Sequence, residues 1–519
     1  MAEVERVRAE EEAIAHAVGL GPEAVEDPRA LHKVPDPFPL TMAGMFAALG
    51  PQAINFGISI GGGEAYLLPN VAARGTLHMH WLMIISVIIE TSLVYECIKY
   101  SMCTGRSFFA ATHTLRPYGF WPWFWAVAAI VTYAWPAWMA GAVVAAQRFT
   151  GISTQTLFPG STLPPQYFWA VLALLLVLFI FYVSPRTYAF LEKFFILIMF
   201  ANIALVLAIT VVAARPEHYV QVLLGYLGIT FLREGYPAAL PLTDALALYN
   251  QPGGSLMWVS FWAVAAGWGM GRYAGQVTGV LAPPEKITAQ ELRWDENSPS
   301  ERAKMKQWVK VGAYSLILWW AIIGGMIMTY LYSVAGLAYL NPQFQQTGQV
   351  PTGVEVPLQM ATVAAGVLGQ MAGWLMLLVI MVTLYDAQFP YYDTYIGRTT
   401  TDAVAVTGKT AGRTYRFWYF LVVTLAVLAG FYLVTVAQPF ILWTIVAIAS
   451  IVWRAIGSWQ IMAINDKAIR EQRLHPEFRV SGLNRALLWF SLISGLGAVA
   501  AWFIVVFPGE ACRQAGIFC

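Results

Sequence analysis

Residues 50–75 read GPQAINFGISIGGGEAYLLPNVAARG. The stretch is long and apolar enough to cross about 30 Å of hydrocarbon, yet Gly61, Gly62 and Gly63 stand in its middle and the acid Glu64 follows them. Each glycine costs about 1 kcal/mol in a helix interior, and a carboxylate at membrane depth needs a partner, a proton or water. A glycine-rich packing face against another helix would tolerate the glycines but has no need of the carboxylate. The stretch therefore reads as a span that unwinds in mid-membrane.

A second interruption lies in residues 241–275, PLTDALALYNQPGGSLMWVSFWAVAAGWGMGRYAG. Asn250, Gln251, Pro252, Gly253 and Gly254 break an otherwise apolar run about as far from its start as the glycines do in the first. The run from Gly267 to Gly271 leads to Arg272 and a basic loop, and reads as the end of the span. These are the first and sixth spans, each heading a set of five helices. Two discontinuous helices in matching positions point to an inverted repeat whose carbonyls and helix ends face a ligand near the midplane. Irregular backbone is not tolerated against lipid, so both breaks must line a cavity or be buried in protein.

Composition agrees with a bilayer as the solvent. The chain has 519 residues, 58% hydrophobic and only 12% charged, against about 25% charge in soluble proteins. Eleven spans are expected, at 42–74, 79–102, 121–147, 166–184, 188–213, 238–266, 311–336, 358–388, 417–435, 439–463 and 485–507. The organisation follows: an acidic tail (1–41), a first five-helix repeat (42–213), a second (214–463), and an eleventh helix with a C-terminal tail (464–519). The fold class is an all-α integral membrane protein. With the N-terminus inside, 25 of the 31 Lys and Arg fall on the cytoplasmic side, five fall outside, and Arg454 lies within a span. That asymmetry predicts a multi-pass protein of the inner (plasma) membrane with a cytoplasmic N-terminus and an external C-terminus. The tail lacks the basic and apolar regions of a cleaved signal, so the first span is expected to direct insertion.

Several functions are excluded. A net charge of +2 with no basic stripe leaves no footprint for nucleic acid. GxSxG, P-loop, HExxH and paired CxxC sequences are absent, so no enzyme motif and no covalently bound cofactor is expected. Cys97, Cys103, Cys512 and Cys519 have no metal or redox spacing, and Cys512 and Cys519 either pair outside the cell or remain free. His78 and His80 are read as interfacial residues, since nothing nearby completes a metal site. Trp and Tyr clusters at 121–125 and 415–420 fit an interfacial belt.

The run LGPQAINFGISIGGGEAYLLPNVAARG (49–75) followed by ECIKYSMCTGR (96–106) resembles the natural resistance-associated macrophage protein (Nramp) family, in its divergent bacterial branch. So do YNQPGGSLMWVSFW (249–262), GWGMGRYAG (267–275) and LYDAQFPYYDTYIGRTTTD (384–402). The resemblance covers spans one to eight and fades beyond. It implies a LeuT-type 5+5 inverted-repeat bundle of ten core helices plus one, carrying divalent metal ions and commonly coupled to protons. The sequence departs from the family at the site itself. Members carry Asp-Pro-Gly-Asn at the first break and a methionine motif with a following histidine at the sixth, whereas Gly61 to Glu64 and Asn250 to Gly254 stand here. Only the position of the site carries over.

The residues at the two breaks supply oxygen. The Glu64 carboxylate, the Asn250 and Gln251 carbonyls, the Ser59 hydroxyl and the backbone of Gly61, Gly62 and Gly63 suit hard ions such as Mg²⁺, Mn²⁺, Ca²⁺ or Na⁺. Met257 reads as packing. One carboxylate is little for a divalent ion, so the ion keeps waters or a second acid contributes, with Glu90, Asp244, Asp386 and Asp393 as candidates and Arg454 as counter-charge. Either Glu90 or Asp386 pairs structurally with Arg454, or these acids relay protons. Glu96 and Lys99 form a local pair. The leading expectation is a secondary transporter of a divalent cation, coupled to H⁺ or Na⁺. The alternatives are a symporter of a small organic solute walled by Trp258, Phe261 and Trp262, and a membrane subunit that keeps the fold without transporting.

Overall fold

The computed structural model describes residues 31–61, 63–237, 240–251, 253, 256–349, 355–436 and 439–506. It is helical throughout, apart from a two-residue parallel pairing of β1 (Leu31–His32) with β2 (Arg293–Trp294) among the described residues. Among the described residues, eight helices are long and apolar enough to cross a membrane. The expected fourth and sixth spans fall short of that length, and the first has Gly62 outside the described residues.

The first span consists of α1 (Gly50–Gly61) and α2 (Gly63–Ala73). Helix α3 (Trp81–Thr104) ends where Gly105 adopts a left-handed φ of 66° and closes the last turn on the Ser101 carbonyl. The third span is α4 (Phe120–Tyr133) and α5 (Ala137–Thr150), divided at Pro136, which cannot donate to the helix ladder. Helices α6 (Tyr167–Val183) and α7 (Thr187–Ala213) complete the first half. The sixth span is α8 (Leu242–Tyr249), a break, a single 3₁₀ turn at Leu256–Trp258, and α9 (Val259–Ala265). Helix α10 runs Pro299–Thr347 and starts from a Ser298 side-chain cap with proline at its first position. Then come α11 (Glu355–Leu368), α12 (Gln370–Val406), α13 (Tyr415–Val436), α14 (Pro439–Arg470) and α15 (Gly482–Ala501).

Four expectations need correction. The seventh span is not confined to 311–336, because helix α10 continues beyond both ends. The eighth, expected at 358–388, is two helices: Gly369, at φ 89°, turns the chain, and α11 packs back on α12, with Gly373 set against Ala361 and Ala365. An unbroken apolar run hides such a turn, since hydropathy does not register one left-handed residue. The expected tail 1–41 is not free over its described part: the Trp308 indole donates to the Pro35 carbonyl at 2.9 Å and the Tyr273 hydroxyl to the Lys33 carbonyl at 2.9 Å. Residues 1–30 lie outside the described residues. The expected unwinding over 60–64 is not observed among the described residues, since 60, 61, 63 and 64 are helical and Gly62 lies outside them.

Large apolar side chains face outward on the peripheral helices, among them Phe179, Leu197 and Ile493, each more than 60% exposed. A belt of that kind is costly in water and natural against lipid. Inside it, close approach sets helix spacing: a Cβ at Gly336 in α10 would stand 2.3 Å from the Pro69 backbone of α2.

Candidate functional site

The first span is the common neighbour of the elements read as site-forming. Its inner half α1 packs on α12 and α9, and its other half α2 packs on α8. Gly62, the residue between α1 and α2 in sequence, lies outside the described residues, as do the side chain of Glu64 and residues Pro252 and Gly254. In the sixth span the helix stops at Tyr249 and Gly253 takes a left-handed φ of 56°, so the chain is unwound where the sequence predicts.

Around these breaks the protein buries oxygen acceptors that it does not itself satisfy. Among the described residues the Oδ1 of Asn250 and Oε1 of Gln251 have no hydrogen-bond partner, and both residues are buried. Asp386 in α12 is fully buried, and neither carboxylate oxygen has a hydrogen-bond partner. Its Oδ2 lies 3.5 Å from where a Cβ of residue 57 would stand, so the glycine at that position brings the carboxylate against the backbone of the first span. Gln388, two residues on, and Gln52 in α1 are fully buried with both amide atoms unpartnered. Buried acceptors are almost always satisfied, so these oxygens call for a partner such as water, a proton or an ion. Sequence reasoning named Asp386 but missed Gln52 and Gln388; their position on a predicted span was the available signal.

Ser59 is committed elsewhere. Its hydroxyl donates to the Asn55 carbonyl at 2.7 Å and accepts from the Trp320 indole at 2.9 Å, which ties α1 to α10. No three His, Cys, Asp or Glu side chains among the described residues come together as a ligand set, so amide and backbone oxygens would have to dominate any cation site.

The charge in span ten has a definite partner. Arg454 Nη1 donates to Glu90 Oε1 at 2.8 Å and to Ser86 at 2.7 Å, and both terminal nitrogens reach the Tyr249 carbonyl at 3.2 Å. The guanidinium also lies 4.4 Å from the centre of the Tyr249 ring, and both Arg454 and Glu90 are fully buried. One cation thus joins α3, α14 and the last carbonyl of α8, where the helix dipole is negative. Of the two pairings left open by the sequence, this is Glu90 to Arg454; the Asp386 alternative is not observed.

Asp393 and Asp244, the other candidate acids, are also paired. Asp393 binds Arg398 at 3.1 Å and accepts from the Tyr419 hydroxyl at 2.5 Å. Asp244 meets Arg74 at 3.0 Å. Asp402, which sequence reasoning did not single out, accepts from Ser107 at 2.5 Å and Tyr415 at 2.9 Å. Glu96 and Lys99 form the expected local pair at 2.5 Å. His78 reaches Glu234 at 2.9 Å, whereas His80 is fully buried. Met257 packs against Gly457, in keeping with a packing role. The aromatics considered as pocket walls are engaged in packing: Trp258 stacks on Tyr395 at 4.2 Å, Phe261 stacks on Phe109 at 5.5 Å, and the Trp262 indole donates to Thr394 at 3.0 Å.

No protein-family model and no curated protein matches the sequence. Among solved structures, the chain is similar to a manganese transporter of Eremococcus coleocola, with a TM-score of 0.57 and 13% identity over 93% of this chain and 91% of that one. The chain has the LeuT-type fold. A point mutant of the same manganese transporter gives a TM-score of 0.57 at 13% identity over 92% of both chains. Mhp1, a nucleobase-cation-symport-1 family transporter, aligns over 87% of this chain and 90% of that one at a TM-score of 0.47 and 12% identity.

Proposed function

We propose that this chain is a multi-pass secondary transporter of a divalent cation that prefers oxygen ligands, Mn²⁺ or Mg²⁺, and a divergent relative of the Nramp family. The observation that carries the reading is Asp386: a fully buried carboxylate with no hydrogen-bond partner among the described residues, set against the backbone of the first span. An ionised Asp in mid-membrane costs roughly 2.5–3.5 kcal/mol on insertion scales, and a proton or a cation relieves that cost. Both occupants suit the same carboxylate, so one group can exchange a proton for an ion, which is the elementary requirement for coupling. Arg454 does not oppose a cation there, because Glu90 already balances it.

Amide oxygens of Asn250, Gln251, Gln388 and Gln52 are the complementary donors, and Glu64 is the second acid of the proposed site. Oxygen ligands with few full charges favour a hard ion that retains water, and disfavour zinc and copper. The proposed orientation places the N-terminus and the basic loops in the cytosol, following the 25 to 5 distribution of Lys and Arg.

The test is uptake into proteoliposomes. Mn²⁺ or Mg²⁺ should accumulate down an imposed gradient, with competition among hard divalent ions and none from amino acids or amines. Transport that amino acids or amines block and divalent ions do not affect would replace the reading with an organic-solute symporter.

A further inference from the structure

A concentration of positive charge outside the membrane core lines a cavity of about 620 Å³. It is walled by the loop after α9, the inner end of α12, the turn leading into α13 and the turn after α14. Four arginines line it, Arg106, Arg293, Arg413 and Arg473, with Glu291 as the one acid among the lining residues. Arg106 is the most committed of them. It is 5% exposed, donates through Nη2 to the Ala110 carbonyl at 2.8 Å and contacts His113 Nδ1 at 2.6 Å, yet its Nε has no hydrogen-bond partner. Glu291 is shared: it bonds Arg473 and lies 4.0 Å from Arg106. Arg473 also meets Glu471, and Arg413 lies over the Phe417 ring. Arg293 and Arg413 are exposed.

Cytoplasmic loops are basic as a rule, and a basic loop alone implies only topology. Here, however, one arginine is buried with a free donor, and three more line the same cavity, with Glu291 as the one acid in its lining. Guanidinium groups in such an array match the forked geometry of phosphate oxygens. The volume falls within the range of small-molecule sites, and Tyr415 and Trp418 add aromatic surface to the wall.

We infer that this cavity binds a soluble phosphate-bearing anion from the cytosol, of the size of pyrophosphate or a nucleoside diphosphate, with Arg106, Arg293, Arg413 and Arg473 as its donors. The ligand would join four segments that are separate in sequence, and so would hold the inner end of α12 against the loops around it. The site is independent of the cation reading, since none of its residues belongs to that site.

Thermal unfolding of the detergent-purified chain tests this, with pyrophosphate and ADP as probes and NaCl at matched ionic strength as the baseline. A ligand that binds only the folded form gives a saturable rise in Tm. Arg293→Gln with Arg413→Gln, both exposed and so compatible with folding, should raise the half-saturating concentration at least about tenfold, since charge-assisted hydrogen bonds are lost. Arg215→Gln, on the opposite face, should leave it unchanged. No saturable rise with either probe, an equal rise in the double variant, or a response confined to anionic lipid micelles would overturn the inference.

Discussion

Arg454 shows how much a single buried charge can organise. It is held by Glu90, Ser86 and the Tyr249 carbonyl with no exposure to solvent, so both charges of the pair depend on each other. Removing one partner leaves an uncompensated buried ion, which costs about 3–5 kcal/mol, whereas replacing both with apolar groups is often nearly neutral. Arg454→Met and Glu90→Leu are each expected to lower the unfolding free energy by that amount, and the double variant by clearly less than the sum, in a double-mutant cycle followed by thermal unfolding in detergent. Additive losses would show that the pair is not coupled. The sequence made Arg454 conspicuous as a lone cation in a span, but the Tyr249 carbonyl was not legible, because any residue offers the same backbone oxygen. Two groups outside the membrane give the protein opposite pH dependences. Burial and the nearby Arg106 charge push His113 down to about 4 from 6.5. The unfolded chain then binds more protons between those values, so stability falls as pH drops from about 6.5 towards 4, and His113→Gln should flatten that limb of Tm against pH. Burial and Glu291 push Glu296 up to about 7 from 4.5, so it loses stability as pH rises from about 4.5 to 7, and Glu296→Gln should flatten the slope of opposite sign.

Among the elements, legibility followed composition. The sixth interruption was visible because glycine, proline and amides are rare in spans, and it falls between Tyr249 and Leu256 as read. The eighth span was misread because the turn at Gly369 lies inside an apolar run, and the residues on both sides are as hydrophobic as a continuous helix requires. Helix α10 was read too short because its first turns are charged and project beyond the apolar window. What the sequence could not show is helix-to-helix distance. Gly336 brings α10 onto α2 so closely that a methyl group would meet the Pro69 backbone at 2.3 Å, and backbone cannot rotate aside as a side chain can. Gly336→Ala is therefore expected to destabilise the chain by about 1–3 kcal/mol, the usual cost of overpacking. Gly482→Ala, where nothing lies within 4 Å, is the control and should change Tm little. Equal effects at the two positions would contradict the close approach of α10 to the first span.

At the scale of the whole molecule, three of the four acids weighed as partners for the site are paired with cations, and Asp386 is not. Glu90, Asp244 and Asp393 are bound to Arg454, Arg74 and Arg398, while Asp386 is buried against the first span with its oxygens unpartnered. The sequence placed all four on equal terms, because which acid finds a cation depends on packing between helices far apart in the chain. The central claim is that this carboxylate holds the transported ion, and initial-rate Mn²⁺ uptake by proteoliposomes containing Asp386→Asn measures it most directly. The substitution keeps the shape of the side chain and removes its charge, so the variant should fold and reconstitute like the parent while its uptake falls by at least about tenfold, the loss of one charge-assisted contact. Uptake equal to that of the parent chain at the same ion concentration would contradict the account.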